Sequence, residues 1–236
     1  MSRTPHDNVE RILAFRERYK RSGRIVIIAP HPDDEVLGTG RLILAAKRRA
    51  LDPAFILLTD GGASHPNSYA WPTRQLGQLR KQELRRALGR LGLKQPAIRY
   101  MGWRDGCLAD DGKALALRAM LRSLNASLVL VTSPADHHPD HKAAFRLAEA
   151  ACANGNVPLW TYAVWSRASA STRRSIGRDR AQQYWAIKAH RSQTSNYIKD
   201  DPTGFSFPPA LLTKILQTAE QFDKVIIANR RFQSAC

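Results

Sequence analysis

Arg24-Ile25-Val26-Ile27-Ile28-Ala29-Pro30-His31-Pro32-Asp33-Asp34-Glu35 is the stretch on which the fold turns. Its first half is a short, β-branched, almost unbroken apolar run, the pattern of a strand buried on both faces of a parallel sheet. The second half ends that strand at once. Pro32 biases His31 to an extended conformation, and the acidic residues after it open a helix, where negative charge is favourable against the helix dipole. A helical pattern then covers about 36–50.

The alternation repeats outward from this unit. Strand-like runs near 53–59, 97–101 and 127–132 alternate with helical patterns near 74–91, 113–124 and 140–153. Repeated βα units specify the α/β class, an open, mostly parallel sheet with helices on both faces. Upstream, Thr4-Pro5-His6-Asp7 reads as the cap and first turn of a surface helix within 1–23, with Val9, Ile12 and Leu13 on one face. Beyond Pro158 the rhythm changes: PLWTYAVW is strand-like, Ser166 to Arg180 is basic and serine-rich, and a helical segment reaches about His190. A helix near 210–220 precedes a last strand at Val225-Ile226-Ile227. One domain over 1–236 is expected, with 158–236 as a C-terminal extension or lid.

Composition narrows the function classes. A chain of 236 residues, 43% hydrophobic, can bury one sizeable core. No stretch reaches the roughly 20 apolar residues of a membrane helix, and the N-terminus has no apolar signal-peptide core; a cytoplasmic protein is expected. Cys107, Cys152 and Cys236 are far apart and in no C-x-x-C arrangement, so neither a disulfide framework nor a thiolate zinc site is expected. The formal charge of +17 gives a field that attracts phosphates, nucleic acid or an anionic membrane surface. The excess is scattered over helices, as in Arg80-Lys81 and Arg85-Arg86-Arg90, without the aromatic-interleaved stripe of a nucleic-acid module. Specific nucleic-acid binding is therefore not expected, whereas peripheral membrane contact stays compatible with the charge.

In open parallel sheets ligands bind beyond the carboxyl ends of the strands. Two segments occupy such positions: His31-Pro32-Asp33-Asp34-Glu35 after the first strand, and Ser133-Pro134-Ala135-Asp136-His137-His138-Pro139-Asp140-His141 after the fourth. Either alone has a plain explanation as a helix start or a surface turn. Together they bring a nitrogen and an oxygen ligand from one segment and an imidazole from the other to one sheet edge. That is a three-ligand site with room for water, as catalytic zinc requires.

These two segments resemble the signature motifs of the PIG-L/LmbE-type N-acetylglucosaminyl deacetylase family. The similarity runs from about Arg24 to His190 and includes Thr59-Asp60-Gly61-Gly62, Arg80-x-x-Glu83 and Ser192-Gln193 just beyond. The resemblance implies a Rossmann-like fold and zinc-dependent removal of an acyl group, usually acetyl, from an amino sugar. Iron, cobalt or manganese would also suit the donor set. By motif, His31, Asp34 and His141 correspond to the metal ligands, Asp33 to the general base, and His138 to the group that stabilises the oxyanion or protonates the leaving amine. Asp140 is expected to orient His138, Glu35 to support the ligands, and Arg80 and Asp105 to contact the sugar, although Arg80 could instead pair with Glu83 along its helix.

Other classes are excluded or disfavoured. Gly38-Thr39-Gly40 has no third glycine in register for a dinucleotide loop, and neither a phosphate-binding G-x-x-x-x-G-K-[ST] loop nor a G-x-S-x-G elbow exists. Two alternatives share the scaffold: a metal-dependent amidase on a non-sugar amide, and a basic protein that binds RNA or anionic lipid. Arg173-Arg174 and Arg178-x-Arg180 raise a further expectation, that the substrate is an anionic or lipid-linked sugar.

Overall fold

The computed structural model describes residues 6–18, 22–108, 112–153, 157–166 and 177–227. In chain order these form α1 (His6–Arg18), β1 (Arg24–Ala29), α2 (Asp34–Arg48), β2 (Ala54–Leu57), α3 (Thr73–Arg90), β3 (Ala97–Tyr100), α4 (Lys113–Ser123) and β4 (Ala126–Thr132). There follow α5 (Pro139–Ala153), β5 (Leu159–Tyr162), α6 (Arg178–Ile187), the short α7 (Arg191–Thr194), α8 (Pro209–Gln217) and β6 (Phe222–Lys224). The strands make one sheet in the order β3-β2-β1-β4-β5-β6. All neighbouring pairs are parallel except β5 with β6.

The apolar runs form the centre of this sheet because they can be buried on both faces. Ile25 to Ala29 of β1 and Leu128 to Val131 of β4 are all inaccessible or nearly so. Alternate side chains feed two cores. Ile25, Ile27 and Ala29 pack with α1, α2, α3, α6 and α8, whereas Val26 and Ile28 pack with α4 and α5. Helices therefore cover both faces, as the βα rhythm predicts.

Chain direction reverses across the sheet at β1. Strands β2 and β3 extend to one side and β4 and β5 to the other, so the β1–β4 boundary is a topological switch point, where α/β sheets open a crevice. Both chemistry-bearing segments leave the sheet there.

Three expectations change in detail. Helix α2 starts at Asp34, two residues earlier than expected, so that Asp34 and Glu35 are in its first turn and Asp33 is its N-cap. The last strand is Phe222–Lys224, three residues before the apolar Val225-Ile226-Ile227, and pairs antiparallel to β5 through Tyr162 with Phe222. An edge strand needs only one inward anchor, and Phe222 supplies it while Asp223 and Lys224 keep the edge polar. Ile226 is 91% exposed. The region expected as a lid or extension places β5 and β6 in the sheet and α6 against α2 and α3. The Thr4-Pro5 cap lies outside the described residues, as do Arg173, Arg174 and Cys236; Cys107 and Cys152 are free thiols. Among the described residues no helix is long and apolar enough to cross a membrane.

Candidate functional site

His31 stands at the end of β1, and its backbone N–H donates to Asp34 Oδ2 at 3.1 Å, closing a tight turn into α2. The side chains close the same loop. His31 Nδ1 lies 3.2 Å from Asp34 Oδ2, and Asp34 Oδ1 lies 3.3 Å from His141 Nε2 near the start of α5. Asp34 thus bridges the two histidines that the sequence pairs with it. A ring nitrogen of each of His31, His138 and His141 falls within 4.8 Å of the others.

Carboxylates fix these rings from behind. Asp136 is fully buried and sits 2.9 Å from His141 Nδ1, and it also accepts the backbone N–H groups of Val164, Trp165 and Ser166 at 3.1, 3.0 and 2.8 Å. Asp105 Oδ1 and Asp140 Oδ2 lie 3.1 and 3.2 Å from His31 Nε2. Carboxylates on the far nitrogen of an imidazole select its tautomer and leave the other nitrogen to a metal.

This donor set fits a divalent cation. Burial alone would lower both imidazoles, but hydrogen bonds from Asp105, Asp140 and Asp34 raise His31 well above the ordinary histidine value. His141, despite its burial, is lifted to about 9 by Asp34 and Asp136. Buried carboxylates that hold protons on two imidazoles demand positive charge, which a metal ion supplies in their place.

Asp33 is the strained residue of the site. Its φ of 145° is in the region that side chains other than glycine avoid, at a cost of about 1–3 kcal/mol. Two contacts hold it there. Glu35 Oε2 accepts the Asp33 N–H at 3.1 Å, and Arg80 Nη2 donates to Asp33 Oδ2 at 2.8 Å and to Pro32 O at 3.1 Å. Burial pushes the Asp33 carboxyl up to about 7, against the pull of the Arg80 guanidinium and with the help of Asp34.

Arg80, expected to contact the sugar, lines the pocket and is also tied to Asp33. Arg80 is 3% exposed and binds Asp33, Pro32 O and, through Nη1 at 2.7 Å, Gly61 O. Gly61 permits this approach: its φ is +68°, and a Cβ there would stand 2.3 Å from Arg80 Nη1. Arg80 does not pair with Glu83, whose carboxylate instead accepts the Ser192 N–H and Oγ–H at 2.9 and 2.6 Å. Asp105 lines the pocket, yet its oxygens are engaged by His31 and by the Ala63 N–H at 2.9 Å.

Asp140, expected to orient His138, has its carboxylate on His31, where it also accepts the Gly106 and Leu108 N–H groups at 2.8 and 3.3 Å. The backbone N–H of Asp140 donates to His138 Nδ1 at 3.2 Å. The physical reason is the helix start: this N–H belongs to the first turn of α5, where it has no intrahelical partner and takes the nearest acceptor. With Nδ1 accepting, the proton of neutral His138 resides on Nε2. Burial and the neighbouring His31 and His141 lower the His138 pKa.

The cluster lines a cavity of about 250 Å³ together with the aromatic residues Trp165, Phe205 and Phe207. Neither Arg178 nor Arg180 is among the described residues lining it. Asp136, the Glu83–Ser192 link and the aromatic wall are features of the site that sequence reasoning misses. Asp136 lies inside the second motif, five residues before His141, but which acid of that turn faces the ring depends on its backbone path.

Residues 26–152 match the family model described as GlcNAc-PI de-N-acetylase. The chain is 34% identical over 130 residues to the "Probable N-acetyl-alpha-D-glucosaminyl L-malate deacetylase 2" of Bacillus anthracis, covering 52% of this chain and 57% of that protein. It is 29% identical over 192 residues to a 1D-myo-inositol 2-acetamido-2-deoxy-alpha-D-glucopyranoside deacetylase of Mycobacterium sp. (strain KMS), covering 70% of this chain and 62% of the relative. The chain thus spans about 57–62% of the length of these curated relatives. A conserved protein of Thermus thermophilus superposes with a TM-score of 0.58 at 31% identity, over 72% of this chain and 80% of its own. The N,N'-diacetylchitobiose deacetylase of Pyrococcus horikoshii shares the fold, with a TM-score of 0.62 at 20% identity over 89% of this chain and 80% of its own. The motifs at the ends of β1 and β4, the switch-point geometry and the family match over 26–152 converge: the chain belongs to the PIG-L, or GlcNAc-PI de-N-acetylase, family.

Proposed function

We propose that the protein is a metal-dependent hydrolase that removes an N-acyl group, acetyl in the simplest case, from an amino sugar or its conjugate. One observation carries the proposal: a buried carboxyl held near neutrality, Asp33, stands beside convergent imidazoles in a pocket. His31, Asp34 and His141 would hold the metal, with zinc the ion best suited to two imidazoles and a carboxylate. Such an ion supplies Lewis acidity, polarising an amide carbonyl and lowering the pKa of water toward neutrality.

The chain's own groups divide the remaining work. Arg80 occupies Asp33 Oδ2, so Oδ1 receives the proton of the attacking water as the carbon–oxygen bond forms. Neutral His138 carries its proton on Nε2, where it can donate a hydrogen bond to the developing oxyanion, while the proton that Asp33 took from water passes to the amine nitrogen as the carbon–nitrogen bond breaks. The products are a carboxylic acid and a free amino sugar. Asp105 and Asp140 act through His31 by fixing its ring, and Asp136 does the same for His141.

The binding-protein alternative is disfavoured because every motif position with a chemical role is retained. The decisive experiment is mass-spectrometric detection of acetate loss across N-acetylated free sugars, nucleotide sugars, lipid-linked sugars and N-acetylated amino acids, with and without chelator. Chelator-sensitive release from amino sugars is expected, and release from amino acids alone would move the activity to a non-sugar amidase. No chelator-sensitive product from any of them would sink the proposal.

A further inference from the structure

We infer that the substrate carries an apolar hydrocarbon group, aryl or alkyl, and that Trp165, Phe205 and Phe207 form the wall that receives it. The inference rests on the deacylase function proposed above and deepens it by naming what recognises the substrate beyond its amide.

The three rings make one continuous surface. Trp165 and Phe207 stack at 5.9 Å, Trp165 and Phe205 meet edge to face at 5.8 Å, and Phe205 and Phe207 do so at 5.1 Å. Phe207 is buried and Phe205 is 38% exposed, and both line the pocket. An aromatic ring left against solvent beside a reactive cluster is a contact surface in need of an apolar partner.

The backbone fixes the wall in register with the imidazoles. Asp136 Oδ2 holds His141 at 2.9 Å while Asp136 Oδ1 accepts the Trp165 N–H at 3.0 Å, so a single carboxylate ties the ring wall to a metal-facing histidine. The Phe205 N–H donates to Ser64 O and the Phe207 N–H to Gln193 O, both at 2.7 Å. The wall is therefore held in place relative to the imidazole cluster. Orientation fixed in this way is what a binding site needs before the substrate arrives.

Several polar lining groups, by contrast, are already engaged, and Asp33 Oδ1 and His138 Nε2 are taken up by the proposed reaction itself. Arg80 is held by Asp33, Gly61 O and Pro32 O, and Asp105 by His31 and the Ala63 N–H. Ser64 Oγ sits 3.1 Å from His65 Nδ1 and accepts Gln193 Nε2 at 3.2 Å. A bare sugar, recognised through its hydroxyls, would find few uncommitted partners among the described lining residues. Hydrocarbon would find three rings.

The hydrocarbon can come from the aglycone or from the acyl chain, and three substrates separate these. Zinc-loaded protein is assayed for acylate release from N-acetylglucosamine, phenyl N-acetyl-β-glucosaminide and N-butanoylglucosamine. At least one apolar compound is expected to exceed N-acetylglucosamine in kcat/KM by about ten-fold or more, within the range that hydrophobic pockets discriminate. Preference for the phenyl glycoside places the group on the anomeric oxygen, and preference for the butanoyl compound places it on the acyl side.

In Phe205→Ala the preference ratio should fall toward one, and Phe205→Tyr should keep it. Phe205 is partly exposed, so thermal melting is expected to confirm that both variants fold. A ratio near one in the unmodified protein, or an unchanged ratio in Phe205→Ala, overturns the inference. If no compound is hydrolysed, the deacylase proposal fails separately and the wall is decided by binding. Intrinsic tryptophan fluorescence should then respond to the phenyl glycoside more strongly than to N-acetylglucosamine, and Trp165→Leu should abolish the difference; equal responses overturn the inference.

Discussion

In the proposed reaction Asp33 meets two opposed demands, since its carboxyl is buried deeply enough to resist ionisation and yet would have to accept a proton during turnover. Arg80 reconciles them by stabilising the anion at one oxygen while Glu35 secures the backbone. Asp33→Asn keeps the shape and removes the base. Metal content by elemental analysis should be unchanged, whereas kcat should fall by about 10²–10⁴, the usual contribution of general-base catalysis. Retention of more than a tenth of the turnover would assign the base elsewhere. Arg80→Lys keeps a charge but loses the planar fork that binds Asp33, Pro32 O and Gly61 O together. Its kcat should drop about 10–100-fold, with KM moving less than kcat if Arg80 serves the proposed base Asp33 more than the substrate. An effect on KM alone would restore the substrate-contact role that the sequence proposes. The residues that follow apolar strands, His31, Asp33, Asp34, His138 and His141, were legible because the sheet's carboxyl edge selects them. The target of Arg80 was not, because it reaches from α3 to the β1–α2 turn and helix spacing reports only the neighbours within α3.

Element boundaries follow from the same distinction between local and distant causes. β1, β2 and β4 are legible because each is buried on both faces and must be apolar throughout. β6 was misplaced because an edge strand needs one anchor and favours polar flanks, so the more apolar run beside it is a poor guide. Helix α2 shows what the sheet asks of a helix that carries the proposed base and a proposed ligand at its start. Its Gly38 lies against Tyr162 of β5, and an added Cβ would stand 2.1 Å from Tyr162 Cδ2. Tyr162 cannot give way easily, because it is fully buried and its hydroxyl donates to Ile28 O at 2.8 Å. Alanine favours a helix over glycine by about 1 kcal/mol, but overpacking of this kind costs about 1–3 kcal/mol or more. Gly38→Ala should therefore be net destabilising by urea denaturation. It should also lower turnover by moving Asp33 and Asp34, which stand one turn earlier in the same unit. A stabilised variant would show that α2 is free to shift off the sheet.

Across the whole molecule, the proposed metal centre is a balance of buried charge. The cluster gathers Asp34, Asp105, Asp136 and Asp140 around His31 and His141, and without a metal these carboxylates keep protons on the imidazoles. His141 is raised from 6.5 to about 9 because the attraction of Asp34 and Asp136 outweighs its burial. A raised histidine contributes stability that is fully present below its unfolded value and is lost as pH rises through its folded one. The metal-free protein should therefore lose stability between pH 6.5 and about 9. Metal binding displaces those protons, so the loaded protein should escape that loss and bind more tightly as pH rises over the same window. At a thousand-fold excess of metal over Kd the stabilisation is about 4 kcal/mol. For a chain of this size, that corresponds to a melting shift on the order of 10 °C. Melting curves with zinc and with chelator, taken at half-unit steps from pH 6 to pH 9, should diverge as pH increases. A constant gap across that range would mean that the ion does not take the place of the imidazole protons, and the assignment of His141 as a ligand would have to be abandoned.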